Sequence, residues 1–448
     1  MRIIQVVHQF LPRHLAGTEV YTYNLAQELS QRHQVWIYTR EDSPIPEEPH
    51  ETDEVYDGLP VRRVYFNPPG LQGDLLPRYI TFSGNVSGLL GLFLNRTQNK
   101  TIEAFFARFL TETKADLVHV QHLFKLSAGL IPVAKRRGVP VVVTLADFWF
   151  ICHNAQLLRP SLARCIGPGG GLKCPACADL NVSPLVRTLL WPALAPLFVY
   201  RNAYLKRCLE QADVVISPSA FVKQKLVENG YRAERIQVSD YGLSTHIRQD
   251  YHPTPSSRVR FGYIGTLTRH KGVHVLIEAF NRLDSAEAEL LIYGNPTYDP
   301  AYSAQLPALA RHPGIRFMGE IDNATVGRTL SGLDVLVVPS IWYENSPINI
   351  HEANLAGIPV IASNIGGMAE LVPDGVAGLQ FQVGDAGDLA AKMRRFIEDR
   401  SLVEQFRRQM PPVKSIEENA QELEVIYEQL VAARHLITNR ASSLQGQA

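Results

Sequence analysis

Residues 334–361 (DVLVVPSIWYENSPINIHEANLAGIPVI) constrain the fold more than any other stretch of this chain. Two apolar runs, Val335 to Val338 and Ile358 to Ile361, are typical of buried parallel strands, and one helix length separates them. Parallel neighbours need such a crossover, so the stretch predicts a βαβ unit. The chain is therefore expected to have an α/β fold built on parallel sheets.

Two carboxylates lie inside this unit, eight positions apart. Glu344 falls in the loop after the first strand, and Glu352 falls one turn into the helix. The helix is predicted to begin near Ser346 and Pro347, because Ser is a good cap and Pro a good first residue. The free N–H groups of a helix start favour an anion, but carboxylates are better suited to accept hydrogen bonds from sugar hydroxyls. The alternative is that both are solvated surface charges.

The segment from Glu344 to Glu352 resembles the E-x7-E motif of a known family, the retaining glycosyltransferases of the GT-B fold (glycosyl transferases group 1, family 4). The following residues, 356–363 (AGIPVIAS) and 365–372 (IGGMAELV), also resemble the C-terminal domain of that family. The order of strand, capped helix and glycine-rich tail makes this signal specific. The resemblance extends over nearly the whole chain and implies two Rossmann-like domains facing a central cleft.

The activity implied by the resemblance is transfer of a hexose from a nucleotide-sugar donor, UDP- or GDP-linked, to a hydroxyl of a glycan or lipid-linked acceptor. The anomeric configuration would be retained, and the leaving phosphate would accept the acceptor's proton, so no catalytic metal is required. Such an enzyme belongs to polysaccharide biosynthesis. The alternatives are another GT-B nucleotide-sugar enzyme, such as an epimerase or a phosphorylase, and a catalytically impaired nucleotide-sugar-binding protein.

The resemblance places the donor against the second half of the chain. Lys271 is expected to neutralise the leaving diphosphate, Glu344 to bind the transferred sugar and Glu352 to bind the ribose hydroxyls. The other donor-side positions are Asn345, Ser346, Pro347 and Ile348, with Gly294 and Gly319 beside the base. Thr266 stands where the family has an Arg, so either Arg269 reaches back to replace it or Thr266 donates a weaker hydrogen bond. A basic turn without a ligand is the alternative.

A loop in the first half of the chain also fits the donor. A buried strand at Ile3 to Val7 is followed by an amphipathic helix from about Thr18 to Gln31, with Thr18 placed as its cap. Gly17 lets the backbone approach a ligand closely, and the resemblance sets the equivalent loop against the donor's diphosphate and sugar. The alternative is a Gly that merely permits a turn.

Ala146 is the main departure from the family pattern. The family commonly has a His at this position, before the equivalents of Asp147 and Phe148, where the imidazole contacts the donor sugar. Either the chain is an engineered knock-out, or it is a natural variant in which His119 or His122 compensates. Both His residues lie at or beyond the end of the neighbouring predicted strand, on the side where ligands bind in open α/β sheets.

Four of the five cysteines fall within one short stretch, as Cys152, Cys165, Cys174 and Cys177. The C-x-x-C pair has the geometry of a zinc half-site, and the other two thiols would complete a tetrahedral set. A cytosolic setting argues against disulfides. The sequence leaves two interpretations open, a structural zinc and unligated buried thiols.

The length of 448 residues predicts two or three domains. A polar, Pro-bearing linker before Ser257 marks the boundary. By resemblance, the final amphipathic helix, from about Ile416 to Leu436, crosses back to the first domain. The expected division is 1–243 plus 415–448 for the N-terminal acceptor-side domain and 244–414 for the C-terminal nucleotide-sugar-binding domain.

Lysine plus arginine equals aspartate plus glutamate, at 44 each, so the composition implies no general attraction to nucleic acid or to anionic membranes. The amino terminus is predicted to be a first strand rather than a signal peptide, which indicates a cytoplasmic chain. Two apolar segments, Ile80 to Leu94 and Leu185 to Tyr200, are expected to be core helices. The alternative for them is an interfacial surface that contacts the inner membrane peripherally, because Trp191, Tyr200 and basic flanks suit a headgroup boundary.

Overall fold

Two separate β-sheets organise the chain. The computed structural model describes residues 1–41, 49–66, 97–177, 184–284, 286–322 and 325–445. The first sheet has eight strands in the order β3-β4-β2-β1-β5-β6-β7-β8, and only β3 and β4 pair antiparallel. Its strands are β1 (Arg2–Val6), β2 (Gln34–Glu41), β3 (His50–Tyr56), β4 (Leu59–Tyr65), β5 (Leu117–Val120), β6 (Val141–Thr144), β7 (Val214–Ser217) and β8 (Ile236–Val238).

The second sheet has six parallel strands in the order β11-β10-β9-β12-β13-β14. Its strands are β9 (Val259–Ile264), β10 (Ala288–Tyr293), β11 (Ile315–Gly319), β12 (Val335–Val338), β13 (Val360–Ser363) and β14 (Gly378–Phe381). The apolar runs that predicted a βαβ unit correspond to β12 and β13, which are direct parallel neighbours.

Helices connect the strands of both sheets. In the first half they are α1 (Gly17–Ser30), α2 (Lys100–Thr113), α3 (Leu130–Arg136), α4 (Pro184–Leu209), α5 (Ala220–Glu228) and α6 (His246–Asp250). In the second half they are α7 (Val273–Phe280), α8 (Pro300–Ser303), α9 (Leu306–Leu309), α10 (Val326–Ser331), α11 (Ile348–Ala356), α12 (Gly366–Leu371), α13 (Ala386–Glu398), α14 (Ser401–Arg407) and α15 (Ile416–Gln445).

Helices cover both faces of each sheet. Successive residues of a strand point to opposite faces and therefore join different cores. In β1, Ile4 joins a core with α2 and α4, whereas Ile3 joins another core with α1 and α15. In β12, Val337 packs with α7 and α13, whereas Leu336 packs with α10 and α11. The molecule therefore consists of two doubly wound α/β layers, as predicted.

The chain crosses between the two sheets at adjacent points. Leu243 and Ser415 form a parallel bridge, and Tyr21 of α1 donates a hydrogen bond of 2.8 Å to Asn419 of α15. The last helix thus packs against the first domain. We propose that the domains divide at these two crossings, as 1–243 plus 415–448 and 244–414.

Several local predictions need correction. Thr18 is not a helix cap, since α1 begins at Gly17 and its cap position is Ala16. The sequence predicts a surface excursion over residues 41–73 with a short strand at Val61 to Phe66. That strand is confirmed as β4, but it pairs antiparallel with β3, which was not predicted. The segment Leu185 to Tyr200 is helical as expected, but much of its side-chain surface is exposed. The segment Ile80 to Leu94 lies outside the described residues. Within the described ranges, no helix is long and apolar enough to cross a membrane.

Candidate active site

Two helix starts from different domains meet in the cleft between the sheets. A Cβ atom added at Gly17 in α1 would lie 3.1 Å from the Ile348 side chain at the first position of α11. Neither helix has a side-chain hydrogen bond at its cap. The predicted cap Ser346 instead donates to Asp240 of the first domain, at 2.6 Å. Two sets of backbone N–H groups are therefore left for an anion between the domains.

The half-buried Lys271 forms an ion pair with the buried Glu344 beside the start of α11. One carboxylate oxygen of Glu344 accepts hydrogen bonds from Lys271 Nζ at 2.8 Å, Ser340 Oγ at 2.7 Å and Trp342 Nε1 at 2.8 Å. Burial alone would raise the pKa of Glu344, but the Lys271 ammonium and the three donors outweigh burial and lower it. Glu344 is therefore ionised at neutral pH and holds the ammonium in place.

A glycine makes this placement of Lys271 possible. Gly272 has φ +74°, and a Cβ atom there would lie 1.9 Å from the carbonyl oxygen of Pro339. The basic turn consequently packs against the end of β12, from which the loop bearing Glu344 departs. The resemblance assigned Lys271 to the diphosphate and Glu344 to the sugar, and the structure brings these two side chains into direct contact.

Glu352 has a different environment one turn further along α11. Its side chain is half-buried, and none of the described residues donates a hydrogen bond to its carboxylate. Burial raises its pKa to about 7. An acceptor with no internal partner, held on a rigid helix, is suited to bind a hydroxyl pair such as that of a ribose.

The remaining donor-side predictions are placed as follows. Arg269 is exposed, its guanidinium lies over the Tyr302 ring at 5.4 Å, and it donates to Gln305 at 3.4 Å. Thr266 is half-buried, and its carbonyl oxygen accepts from the Tyr263 hydroxyl at 2.8 Å. In this structure Arg269 therefore does not reach back to the Lys271–Glu344 pair.

Two glycines shape the neighbouring strand ends. A Cβ atom added at Gly294 would lie 2.2 Å from the Gly265 carbonyl oxygen, so only glycine fits there. Gly319 has φ +82°, and its carbonyl oxygen accepts from the Gly294 N–H at 2.8 Å. The ends of β9, β10 and β11 are thus held close together, at the place where the base is predicted to bind.

Ala146 lies in the cleft, where the second domain contacts it directly. The Asn345 side-chain amide donates to the Ala146 carbonyl oxygen. His122 Nε2 lies 2.8 Å from Asp147 Oδ2, and His122 Nδ1 accepts from the Phe124 N–H at 3.2 Å. Both ring nitrogens of His122 are therefore occupied, and the more exposed member of the pair is Asp147.

His119 cannot replace the missing imidazole. It is fully buried, and its ring nitrogens lie 2.6 Å from the Tyr427 hydroxyl and 2.8 Å from Thr144 Oγ1. Burial lowers its pKa to about 3, so it stays neutral. Of the two candidates for compensation, only His122 lies close to Ala146 and Asp147.

A second polar pair lies in the cleft, His8 and Glu19, which was not among the residues predicted from the sequence. His8 Nε2 lies 3.6 Å from Glu19 Oε1, and the rings of His8 and His122 are 4.3 Å apart. Among the described residues, nothing forms a hydrogen bond with His8 Nδ1 or Glu19 Oε2, although both atoms are buried. Burial raises the pKa of Glu19 and, with nearby cations, lowers that of His8 well below 6.5. The sequence could have indicated both residues as site candidates, because His8 follows the carboxyl end of β1 and Glu19 lies in the first turn of α1.

The four clustered cysteines line one cavity under α4, together with Ile151, Leu157 and Pro168. Within the described residues, no group of three or more His, Cys, Asp or Glu side chains could hold a metal ion, so the predicted zinc site at Cys152, Cys165, Cys174 and Cys177 is not supported. Burial raises the pKa of Cys174 to about 12, with a further contribution from the neighbouring thiols. Arg159 and Lys173 also line the cavity, and their positive charges disfavour a metal cation there.

Two Rossmann-like domains that meet at the carboxyl ends of their strands define the GT-B class of glycosyltransferases. The chain belongs to this class by sequence as well: Glycosyltransferase Family 4 matches residues 15–245, and Glycosyl transferases group 1 matches residues 248–411. It is therefore a glycosyltransferase.

Solved structures share this fold. Sucrose-phosphate synthase from Thermosynechococcus elongatus has a TM-score of 0.67 at 21% identity, covering 96% of this chain and 99% of that one. HepE of Anabaena, solved with UDP-glucose, has a TM-score of 0.56 at 19% identity, covering 99% of this chain and 100% of that one. Identities this low establish the fold alone.

Two of the curated relatives have names that refer to capsules or to a cps region. An uncharacterised 42.6 kDa protein in the cps region of Klebsiella pneumoniae is 24% identical over 378 residues, which is 83% of this chain and 87% of that protein. The capsular polysaccharide biosynthesis glycosyltransferase CapM of Staphylococcus aureus is 25% identical over 225 residues. That match covers 46% of this chain and 58% of CapM.

Proposed function

We propose that this glycosyltransferase moves a hexose from a UDP- or GDP-sugar to a hydroxyl of a glycan or lipid-linked glycan, with retention at the anomeric carbon. The observation that carries the proposal is the Lys271–Glu344 pair beside the uncapped start of α11, with the Glu352 carboxylate one turn further on. The HepE structures with UDP and UDP-glucose support a nucleotide-sugar donor. The name of CapM supports a role in polysaccharide biosynthesis.

The chemistry requires that negative charge be stabilised on the leaving diphosphate. The Lys271 ammonium and the N–H groups of α11 supply fixed positive charge at that place, and Glu344 keeps the ammonium oriented before the donor arrives. The leaving phosphate then takes the proton of the attacking hydroxyl, so the bond to the acceptor forms on the face that the phosphate leaves. Glu352 holds the ribose, so the diphosphate is set against the helix start.

The acceptor would lie against the first domain. Glu19 and His8 offer two buried polar atoms without internal partners, and Asp147 offers a partly exposed carboxylate. We assign these three side chains to the acceptor hydroxyls, because buried polar atoms are normally hydrogen-bonded and a hydroxyl ligand would satisfy those of His8 and Glu19.

Nucleotide release from a panel of UDP- and GDP-hexoses, with and without an extract of lipid-linked glycans, tests the proposal. We expect release that depends on the acceptor, and a product with the donor's anomeric configuration by NMR. Release that depends on inorganic phosphate would indicate a phosphorylase, and isomerisation of the sugar without transfer an epimerase. Nucleotide binding without any turnover would indicate an impaired binding protein.

Variants of His8 and Glu19 test whether these residues bind the acceptor. Glu19→Gln and His8→Asn should lower acceptor-dependent turnover by roughly tenfold or more, the value of one positioned polar group, with nucleotide affinity unchanged. His33→Asn is the matched control, because His33 pairs with Glu424 at 2.9 Å before β2, away from the cleft. An equal loss of nucleotide affinity in the Glu19 variant would assign it to the donor instead.

A further inference from the structure

Helix α4 has apolar residues all round, although it lies on the molecular surface. One stripe, which includes Leu194, Phe198 and Leu205, is buried against the first domain. The opposite stripe, at the spacing i, i+4, i+7 and i+11, is exposed and consists of Leu189, Ala193, Pro196 and Tyr200. A water-facing stripe of a helix normally carries polar or charged side chains, so this one needs a partner.

The loop before α4 extends this surface. A Cβ atom added at Gly171 would lie 2.5 Å from the Phe198 backbone, so the loop rests directly on the helix. The large apolar side chains exposed on this helix and on the loop beside Gly171 form what we call the apolar face: Leu172 (59% exposed), Leu189 (71%), Leu190 (39%), Val199 (37%) and Tyr200 (48%). Contiguous exposed apolar residues of this size mark an interaction site.

The charge around the apolar face selects the partner. Residues 151–209 contain seven lysines and arginines but a single acidic residue, Asp179, in a chain whose total charge is zero. Arg159, Arg164, Lys173 and Arg207 are exposed. Exposed apolar side chains in a segment rich in exposed cations and almost free of carboxylates match an acyl layer beneath anionic headgroups.

We propose that the apolar face seats the enzyme on an anionic lipid bilayer, with α4 lying in the plane of the headgroups. This inference goes beyond the proposed transfer activity and rests on it only in naming the acceptor, which would then be presented by a lipid. The surface adjoins the acceptor side of the cleft. The buried Arg201 of α4 donates to the Trp149 carbonyl oxygen at 2.7 Å, and Trp149 follows Ala146 and Asp147 in one loop.

Vesicle sedimentation of the full chain tests the docking. We expect binding to vesicles of three parts phosphatidylcholine to one part phosphatidylglycerol, weaker binding at high salt, and at least tenfold weaker binding to pure phosphatidylcholine. The double variant Leu189→Ser/Tyr200→Ser should bind the anionic vesicles at least tenfold more weakly, and Arg164→Gln/Lys173→Gln should lose most of the salt dependence.

The matched control is Val55→Ser/Val425→Ser, which removes two equally exposed apolar side chains from β3 and α15. It should bind like the unaltered protein. Thermal unfolding shows whether each variant is folded. The proposal is overturned if the unaltered protein ignores anionic vesicles, if the face variant binds them equally, or if the face instead buries itself in a dimer that Leu189→Ser/Tyr200→Ser dissociates. Nucleotide titration measures the donor site separately from vesicle binding. A protein that does not bind vesicles would therefore leave the proposed sugar transfer untouched, since nucleotide release tests that proposal.

Discussion

At the scale of single residues, the Lys271 ammonium has two negative partners, Glu344 in the structure and the leaving diphosphate in the proposed reaction. Lys271→Met should weaken nucleotide binding by roughly 1.5–3 kcal/mol, the value of a charge-assisted hydrogen bond, or about ten- to a hundredfold in Kd. The same change leaves the buried Glu344 carboxylate unpaired, so its pKa should rise. Calorimetry with UDP and with GDP measures the first effect.

Lys135→Met provides the comparison for Lys271→Met. Lys135 also pairs with a carboxylate, that of Asp213 at 2.6 Å, but at the end of the first sheet where β7 begins, opposite the cleft. We expect its nucleotide affinity to match that of the unaltered protein. Equal affinities in all three proteins would remove the diphosphate role from Lys271.

The raised pKa of Glu352 predicts that donor binding depends on pH. Its pKa of about 7 means that the carboxylate gains a proton as the pH falls from 8 to 6, and a protonated carboxyl group can no longer accept two ribose hydroxyl protons. Nucleotide affinity should therefore fall by up to roughly tenfold over this range, as the ionised fraction falls. Glu352→Gln should remove this component, so the difference between the two pH profiles isolates it from titration of the phosphate. Parallel profiles would show that Glu352 does not contact the nucleotide.

A substitution at Ala146 is expected to change turnover without changing donor binding. The resemblance sets a sugar-contacting imidazole at this position, and such a contact acts chiefly in the transition state. Ala146→His should raise kcat by roughly tenfold to a thousandfold and change nucleotide affinity little. Because the Asn345 amide contacts the Ala146 carbonyl rather than its side chain, the exchange keeps that hydrogen bond. A fully active Ala form, no slower than the His form, would show that position 146 is not catalytic here.

At the scale of elements, the sequence predicted the strands and the βαβ unit around Glu344 well, because buried parallel strands are continuous apolar runs. It predicted the second strand of the hairpin, β4, but not the first, because β3 (HETDEVY) has few apolar residues, although Asp57-Gly58 is a common hairpin turn. The helix cap at Ser346 was wrongly predicted for a different reason. Ser346 has a choice of partners, and the tertiary contact with Asp240 competes with the cap.

The turn into α12 holds the loop that carries Glu344. The Gly367 N–H donates to the Glu344 carbonyl oxygen at 2.9 Å, and a Cβ atom at Gly367 would lie 1.6 Å from the Asn345 carbonyl oxygen. Gly367→Ala must therefore move that loop. We expect a loss of about 1–3 kcal/mol in the free energy of unfolding, the cost of overpacking, together with weaker nucleotide binding.

Gly332→Ala is the control for this exchange. Its added Cβ would meet only the Thr329 carbonyl oxygen, at an ordinary 3.4 Å, and its φ of −89° suits alanine. Urea unfolding of both variants, followed by nucleotide titration, compares them. If Gly367→Ala is as stable and binds as tightly as Gly332→Ala, the packing of α12 does not position the site.

At the scale of the whole molecule, side-chain contacts across the cleft could not be predicted from the sequence, because their partners come from opposite domains. Asp240, for example, pairs with His351 at 3.3 Å. Although burial raises the pKa of Asp240, hydrogen bonding and the charge of His351 outweigh burial and lower it. Patterns of strands and helices specify each domain, whereas the relative placement of the domains depends on such single pairs.

Another of these contacts joins Glu370 of α12 to the start of α5. The Glu370 carboxylate accepts from the backbone N–H groups of Ala220 and Phe221, at 2.9 and 2.5 Å, so a charge from the second domain caps a helix of the first. Beside it, the rings of Phe221 and Tyr343 lie 5.0 Å apart. Glu370 therefore favours the closed cleft, in which the starts of α1 and α11 meet.

Glu370→Ala should shift the chain towards an open cleft. Loss of two charge-assisted hydrogen bonds, roughly 2 kcal/mol after solvent competition, changes the ratio of closed to open molecules by about thirtyfold. We expect a larger radius of gyration in small-angle X-ray scattering, and a lower kcat because Gly17 and Ile348 separate. Glu398→Gln, an exposed acid on α13, should change neither quantity. Scattering curves and turnover that are identical for Glu370→Ala and the unaltered protein would mean that the closed cleft is maintained without this carboxylate.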